Sequence, residues 1–549
     1  MPPATAVVPS TAPFDGSVFW RHHECLTAVA NDLSNPKDVL ALALTCSNAT
    51  PTGVMRLWSR FQHCLLPLIR TLPSRCLESK ALMGHKVCQE PCPECRALMH
   101  RSFVPDAVTS SEWTRFAITT NYYEKLVLNM ECGTMRFVFS KLVDFIAASP
   151  HLKASEIFCH LKSLHIVGLL ETDTLARFLE LVHPEKRCKQ IKTIIFEDCC
   201  VGTAMALITN TEHLSDVEKL SITVNGHENE ILLGKASVSM LGITFLDLSF
   251  YYNPDKSVFV VLPQLPRLET LSITIAFCDD EPDPGWDFKK CESTVLPSLR
   301  SLLVTSPFNE HVYGMALMYR MPVLTSARFE CRAQATKPEL YSRVLASLSS
   351  STELRELAIV FRPDEDAFSM FTQDVPLEGI TDEVLAPVAR WPKLESMEFF
   401  PMIPFDDVTD SVLLLIAKAC PRLKIFNLGG GSSLLRETPA ATHASVEGFC
   451  RYARDLELLY FPHVLPFLSD TCSYDFPAHH QLATLGGMSK GPTLIYADIV
   501  TALFPSLEHV VIHGAVESHI AERLWDRTSP YFVLMGESTC YCEGMFMGV

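Results

Sequence analysis

From residue 123 onward the chain returns repeatedly to one six-residue pattern of apolar and polar positions, L-x-x-L-x-L, with other aliphatic or aromatic residues allowed in the apolar places. It reads YEKLVL from Tyr123, LKSLHI from Leu161, IKTIIF from Ile191, VEKLSI from Val217 and ITFLDL from Ile243. It continues as LETLSI from Leu268, LRSLLV from Leu299, LTSARF from Leu324 and LRELAI from Leu354. LESMEF from Leu394, LKIFNL from Leu423, LELLYF from Leu456 and LEHVVI from Leu507 complete the series. Successive starts lie 25 to 40 residues apart, except across the last interval, from Leu456 to Leu507, which is the longest at 51. Alternation with period two marks a short strand. Repetition at such spacing predicts a solenoid with one strand per coil, the first, fourth and sixth residues pointing into a shared core.

Between the strands the period lengthens to that of a helix. FVFSKLVDFIAASP, TDTLARFLELVHP, KPELYSRVLASLSSS, TDSVLLLIAKACP and YADIVTALFP all read as returning helices, and several stop on a Pro just before the next strand. A doubly wound sheet also alternates strands and helices. It would show continuous Val/Ile strands and a Gly-rich turn after the first, and neither is present. The pattern therefore predicts an α/β solenoid over 121–549.

Ahead of the repeats stand three short helical patterns in 18–66. Leu26, Val29, Ala30 and Leu33 make one apolar stripe. Asn35 can cap a second helix with Pro36 at its first position and Asp38 in its first turn. Its body, VLALALTC, is apolar on nearly every side and so needs cover on two faces. Thr50 and Pro51 open the third, which carries Val54, Leu57, Trp58 and Phe61. Such a unit buries too little surface to stand alone, so it needs either the rest of the chain or another protein, and its second helix has one face for its neighbours and one to spare. Residues 1–17, with Pro at 2, 3, 9 and 13, read as a disordered tail, and 67–120 as a helical connector and cap for the solenoid.

Composition narrows the picture. The chain has 549 residues, 48% of them hydrophobic and 20% charged, a globular balance that excludes wholesale disorder. A net charge of −17 without a basic stripe argues against nucleic-acid binding. The N-terminus lacks a secretory pattern, no run is long and apolar enough to span a membrane, and the C-terminus is no prenylation box. The 20 Cys are then expected as reduced thiols, mostly small buried hydrophobes, in a cytoplasmic or nuclear protein.

Together, CLTAVANDLSNPKDVLALALTC, the following RLWSRF and the repeats behind them resemble the F-box/leucine-rich-repeat family. LLPLIRTLP and SSEWTRFAITTNYYEKLVL resemble the type common in mushroom-forming fungi, and TDSVLLLIAKACPRLKIFNL is close to the family's Cys-containing repeat. The resemblance implies a leucine-rich-repeat array behind an N-terminal three-helix F-box-like unit. It further implies a non-enzymatic substrate receptor of a Skp–cullin–F-box ubiquitin ligase, binding a Skp-type adaptor through the F-box and a target protein through the repeats. The adaptor-facing candidates are Leu26, Val29, Leu33, Pro36, Val39, Leu40 and Leu44. Where the family opens with Leu-Pro this chain has Arg21 and His22, and its turn after Leu33 is one residue longer. Only Cys199 and Asn225 fill the family's Asn/Cys position after a strand. A scaffold whose degraded F-box merely caps the solenoid is the competing expectation.

Strand alternation puts the third, fifth and seventh residues of each repeat on the concave face. The middle repeats then offer a polar floor of Lys219, Ser221, Thr223, Thr270, Ser272, Thr274, Ser301 and Thr305. Later repeats offer an exposed apolar patch of Phe400, Ile425, Leu458, Tyr460 and Pro462, the candidate target-binding site. His85, Cys88, Cys92, Cys95 and His100 cluster with some resemblance to a zinc site, yet Pro105 stands where a final Cys would fall, so neither metal nor cofactor is expected. The acidic stretches 278–287, 362–368 and 404–410 follow strands and read as solvated loops on one rim. LGGGSS at 428–433 lacks the Lys of a phosphate loop, and no nucleophile elbow or HExxH motif occurs.

Overall fold

A computed structural model describes residues 109–130, 133–148, 157–168, 173–178, 191–199, 216–224, 241–251, 262–276, 294–331, 338–361, 379–429, 443–464, 478–488, 503–513 and 532–535, single positions within these spans excepted. It also describes Phe259 and, nearer the N-terminus, Val29, Leu33, Ala41, 77–78 and 102–103. The chain forms two compact units, residues 1–220 and 221–549.

In the first unit, parallel strands Lys125–Asn129, Ser163–Val167 and Thr193–Cys199 pair in sequence order. Helices Ser110–Thr120 and Gly133–Ala148 accompany them, the second where the period-3.6 pattern predicts it. Thr109 caps the first by accepting the Glu112 N–H at 3.4 Å, while Glu112 reaches back to the Thr109 N–H at 2.9 Å, a reciprocal capping box. Tyr123, Phe158, Phe178 and Phe139 form a chain of edge-on rings with centroids 5.1 to 6.0 Å apart.

In the second unit, eleven parallel strands pair in sequence order from Phe245–Phe250 to Phe532–Met535 among the described residues. Position three of one repeat stands opposite position three of the next without a slip: Phe245, Thr270, Ser301, Ser326, Glu356, Ser396, Ile425, Leu458, Thr484, His509. In the twelve repeats from Tyr123 to Phe461 the first, fourth and sixth residues are all buried, as the alternation requires. These in-register, buried repeats define leucine-rich-repeat folding.

The long last interval of the sequence pattern hides a repeat. Leu482 and Leu485 are buried and the strand Thr484–Met488 fills the gap, its repeat opening at Leu482, midway between Leu456 and Leu507. Gly487 occupies its sixth position, which removes the apolar signal. A further strand, Phe532–Met535, keeps the fourth and sixth apolar positions as Phe532 and Leu534, but Ser529 stands at the first and breaks the pattern. Helices Asn309–Met318 and His443–Tyr452 were likewise not marked by the pattern, whereas Pro338–Leu348 and Asp410–Ala419 were.

The backbone explains the constant register. In most repeats the carbonyl of the second residue accepts two N–H groups, those of the second and third residues of the next repeat. Glu124 accepts from Lys162 and Ser163 at 2.7 and 3.0 Å, and Lys162 from Lys192 and Thr193 at 2.8 and 3.1 Å. In the second unit Glu269, Arg300, Thr325, Arg355, Glu395, Lys424 and Glu457 repeat the arrangement at 2.7 to 3.1 Å. The chain enters most strands through a turn in which the repeat's leucine N–H bonds the carbonyl three residues earlier, as Leu394 to Trp391 at 3.0 Å. Pro at the second place of several such turns pre-sets the dihedral it needs.

A second ladder runs through the residue that opens this turn. Ser351 Oγ donates to the Met321 carbonyl at 2.7 Å, Trp391 Nε1 to Leu348 at 3.1 Å and Cys420 Sγ to Trp391 at 3.5 Å. His479 Nε2 lies 2.9 Å from the Ala453 carbonyl, and its Nδ1 accepts the Leu482 N–H at 3.2 Å. Four of the lead-in turns are thus tied to the preceding repeat by a side-chain donor, Ser351, Trp391, Cys420 and His479.

The 404–410 stretch proves to be structural. Phe405–Asp407 pairs with Ile380–Thr381, and Thr409 caps Asp410–Ala419 by accepting the Ser411 N–H at 3.2 Å. Asp382, at the start of the preceding helix, accepts the Thr409 N–H at 2.7 Å and its hydroxyl at 2.5 Å. Asp410 in turn accepts the N–H of Ser445 in the next helix at 3.2 Å, and also its hydroxyl. Carboxylates at helix N-termini thus satisfy the orphan donors of the following helix. The stretches 278–287 and 362–368 lie outside the described residues. Asp382→Ala is expected to lower stability by about 1–2 kcal/mol with Asp382→Asn recovering part of it, measured by urea unfolding.

Candidate functional site

The outer face of the second unit's sheet carries every side chain that the core does not use. Its third-position row is accessible: Ser301, Ser326, Ser396, Ile425, Leu458 and Thr484 are half-buried and Glu356 is exposed. The seventh-position row is largely sealed. Thr305 and Glu330 are buried, with the Thr305 hydroxyl 3.4 Å from Glu330 Oε2. Val360 and Gly429 are buried as well. The face thus opens toward the starts of its strands.

Its chemistry changes from one repeat to the next. The early floor is hydroxylic, as the sequence predicts, with Ser221, Thr223, Thr270, Ser272 and Thr274 all half-buried. Ser221 already donates to Asp247 Oδ2 at 3.0 Å. Lys219, which ends in the first unit, is exposed there. Farther on, Arg328 Nε holds Glu330 Oε1 at 2.6 Å and stands 4.0 Å from Glu398. Beyond Glu398 the face turns apolar through Phe400, Ile425 and Leu458, all half-buried.

Tyr460 corrects the expected exposed patch. It is 7% exposed because its ring lies across Gly486 of the next strand, where an added Cβ would run into the ring. Phe400 lies across Gly429 in the same way but keeps more of its surface. A glycine opposite an aromatic ring leaves a hollow that the ring fills. Tyr460 is therefore a packing residue, and the accessible apolar surface reduces to Phe400, Ile425 and Leu458. Pro462 has no described side chain.

Buried titratable groups lie behind the sheet. Burial pushes the Cys420 and Cys450 thiols up to about 12, so neither is a nucleophile near neutrality. Cys331 is also buried, in no disulfide among the described residues, and its thiol donates to the Pro307 carbonyl at 3.5 Å, in keeping with the expected use of cysteine as a small hydrophobe. His311 is buried with Nδ1 3.3 Å from Ser306 Oγ, and desolvation lowers its pKa to about 4. In the first unit the sheet face holds one such pair in the open, His165 Nε2 2.8 Å from Glu197 Oε2.

Of the adaptor-facing candidates, Val29 and Leu33 are described. Both are half-buried, and the Leu33 N–H bonds the Val29 carbonyl at 3.2 Å, the helical spacing expected there. Leu26, Pro36, Val39, Leu40 and Leu44 lie outside the described residues, as do His85, Cys88, Cys92, Cys95 and His100. Among the described residues no group of His, Cys, Asp or Glu could hold a metal ion, and no helix is long and apolar enough to cross a membrane.

No protein-family profile matches the chain, and no curated protein does. Solved structures do align. An internalin from Listeria monocytogenes matches at 14% identity and TM-score 0.37, covering 73% of this chain and 93% of the internalin. A TLR13–ssRNA13 complex matches at 14% identity and TM-score 0.30, covering 78% of this chain and 64% of that one. The leucine-rich-repeat assignment rests on the register and burial above.

Two outcomes separate packing from recognition here. Tyr460→Ala is expected to cost about 2–4 kcal/mol of stability, measured by thermal unfolding, whereas Leu458→Ser should leave the melting temperature nearly unchanged. The His311 contribution has a definite sign. The folded pKa lies below the unfolded value of 6.5, so stability is complete above pH 6.5 and is lost as pH falls toward 4. At pH 5.5 the loss is about 1.4 kcal/mol relative to pH 8, and His311→Gln should abolish that difference in paired denaturation curves.

Proposed function

We propose that this leucine-rich-repeat protein is an interaction module, and that its particular role is substrate receptor of a Skp–cullin–F-box ubiquitin ligase. The observation that carries the interaction reading is the row Ser326, Glu356, Ser396, Ile425 and Leu458, in register and accessible, which the core does not need. The receptor reading adds the resemblance of CLTAVANDLSNPKDVLALALTC and RLWSRF to an F-box. The mechanism is proximity and not catalysis. The apolar helix bearing Val39, Leu40 and Leu44 docks on the Skp-type adaptor, Leu26, Val29, Leu33 and Pro36 border it, and the sheet face holds the target. The ubiquitin-charged partner on the cullin performs the transfer, in cytoplasm or nucleus.

One observation favours a second reading. Val29 and Leu33 are already half-buried in the isolated chain, as expected of a degraded F-box that only covers the end of the repeats. Co-purification decides between them. The receptor retains a Skp-type adaptor as wild type and loses it as Leu40→Asp, with thermal unfolding unchanged. A wild-type protein that retains no adaptor is the scaffold instead.

A further inference from the structure

Resting on the reading of this sheet face as the target surface, we propose that its strip from Glu356 to Leu458 takes an extended protein segment pairing a Lys or Arg with an apolar residue about three positions away. Charge sets the first half of that specificity. Across the strands Ser326–Cys331, Glu356–Phe361 and Ser396–Phe400 the face positions carry Arg328, Glu330, Glu356 and Glu398. Arg328 is the single cation among these positions, and its short contact goes to Glu330 at 2.6 Å. Glu398 stands 4.0 Å from the same guanidinium, and exposed Glu356 accepts, among the described residues, a hydroxyl from Ser326 Oγ at 2.9 Å. Two carboxylates are thus left in surplus beside the apolar ledge, which favours a cationic side chain and disfavours an acidic one.

The register sets the spacing. Glu356 stands opposite Ser396 and Ser396 opposite Ile425, so Glu356 and Ile425 lie two strand spacings apart, about 10 Å. An extended chain covers that in about three residues. Phe400, Ile425 and Leu458 provide the half-buried apolar seat at the far end.

Asn427 supplies an independent observation. It stands opposite Glu398 on one side and Tyr460 on the other, on the same face. It is 4% exposed, and its Oδ1 has no hydrogen-bond partner among the described residues. Buried amide oxygens are nearly always satisfied, and this acceptor, closed to solvent where it stands between the carboxylates and the apolar seat, meets an N–H of the bound segment once its amide turns outward on binding.

Random hexapeptides displayed on phage and selected against the immobilised full-length protein test this. Enriched sequences should carry Lys or Arg two to four positions from an aliphatic or aromatic residue. A synthetic peptide of that sequence should bind at least about tenfold more weakly to Glu398→Gln, which should melt as the wild type does, and more weakly to Leu458→Ser. Enrichment of acidic sequences, no enrichment, or affinity indifferent to Glu398→Gln would overturn the proposal. Self-association lost in Leu458→Ser would assign the strip to a second copy and overturn it too. None of these outcomes touches adaptor retention, so the receptor reading stands or falls separately.

Discussion

One carbonyl per repeat governs this molecule. In most repeats the second residue presents its oxygen to two successive N–H groups of the next repeat, as Arg355 does to Glu395 and Ser396 at 2.7 and 2.9 Å. Two short bonds to one acceptor tolerate no shift of a residue, because a slip by one would turn every buried leucine to the solvent face. Length differences therefore fall in the returning segments or past the point where register is set, as in Leu458–Val464, which carries two extra residues between Tyr460 and Val464 opposite Gly486 to Met488. The long coil from Leu354 to Leu394 and the short one from Leu299 to Leu324 deliver their strands into the same register.

Because the strands are fixed, the returning helices are free to differ, and the structure ties them down by local chemistry. Donors at the start of the lead-in turn are as unlike as Ser351, Trp391, Cys420 and His479, yet each reaches a carbonyl of the repeat before it. What is common is the need of a buried carbonyl for a donor, not the side chain that meets it. The Asp382–Thr409 and Asp410–Ser445 contacts do the same for helix N-termini. Rings fill the layer between helices and sheet, where Tyr313, Tyr341, Phe399 and Phe405 stand edge to face across successive repeats.

The same economy shapes the outer face. Where two aromatic residues point outward, Phe400 and Tyr460, the next strand answers with Gly429 and Gly486. Tyr460 sinks out of reach while Phe400 stays partly accessible. The face that remains is graded, hydroxylic in the early repeats, charged around Arg328 and Glu398, apolar at Ile425 and Leu458. A linear gradient of this kind distinguishes one end of an extended partner from the other.

The sequence by itself determined the repeat, the strand direction of its side chains and the identity of the core, because period-two alternation leaves a leucine no other place to go once one face is covered. It also marked the helices at 133–148, 338–348 and 410–419, whose apolar residues recur at helical spacing. It could not reveal the strand at 484–488, since Gly487 erases the sixth-position signal, nor the burial of Tyr460, which depends on Gly486 in the following repeat. Only the tertiary structure decided these. Pairing across strands brings residues together by register, and register is a relation between repeats that no single stretch of chain carries.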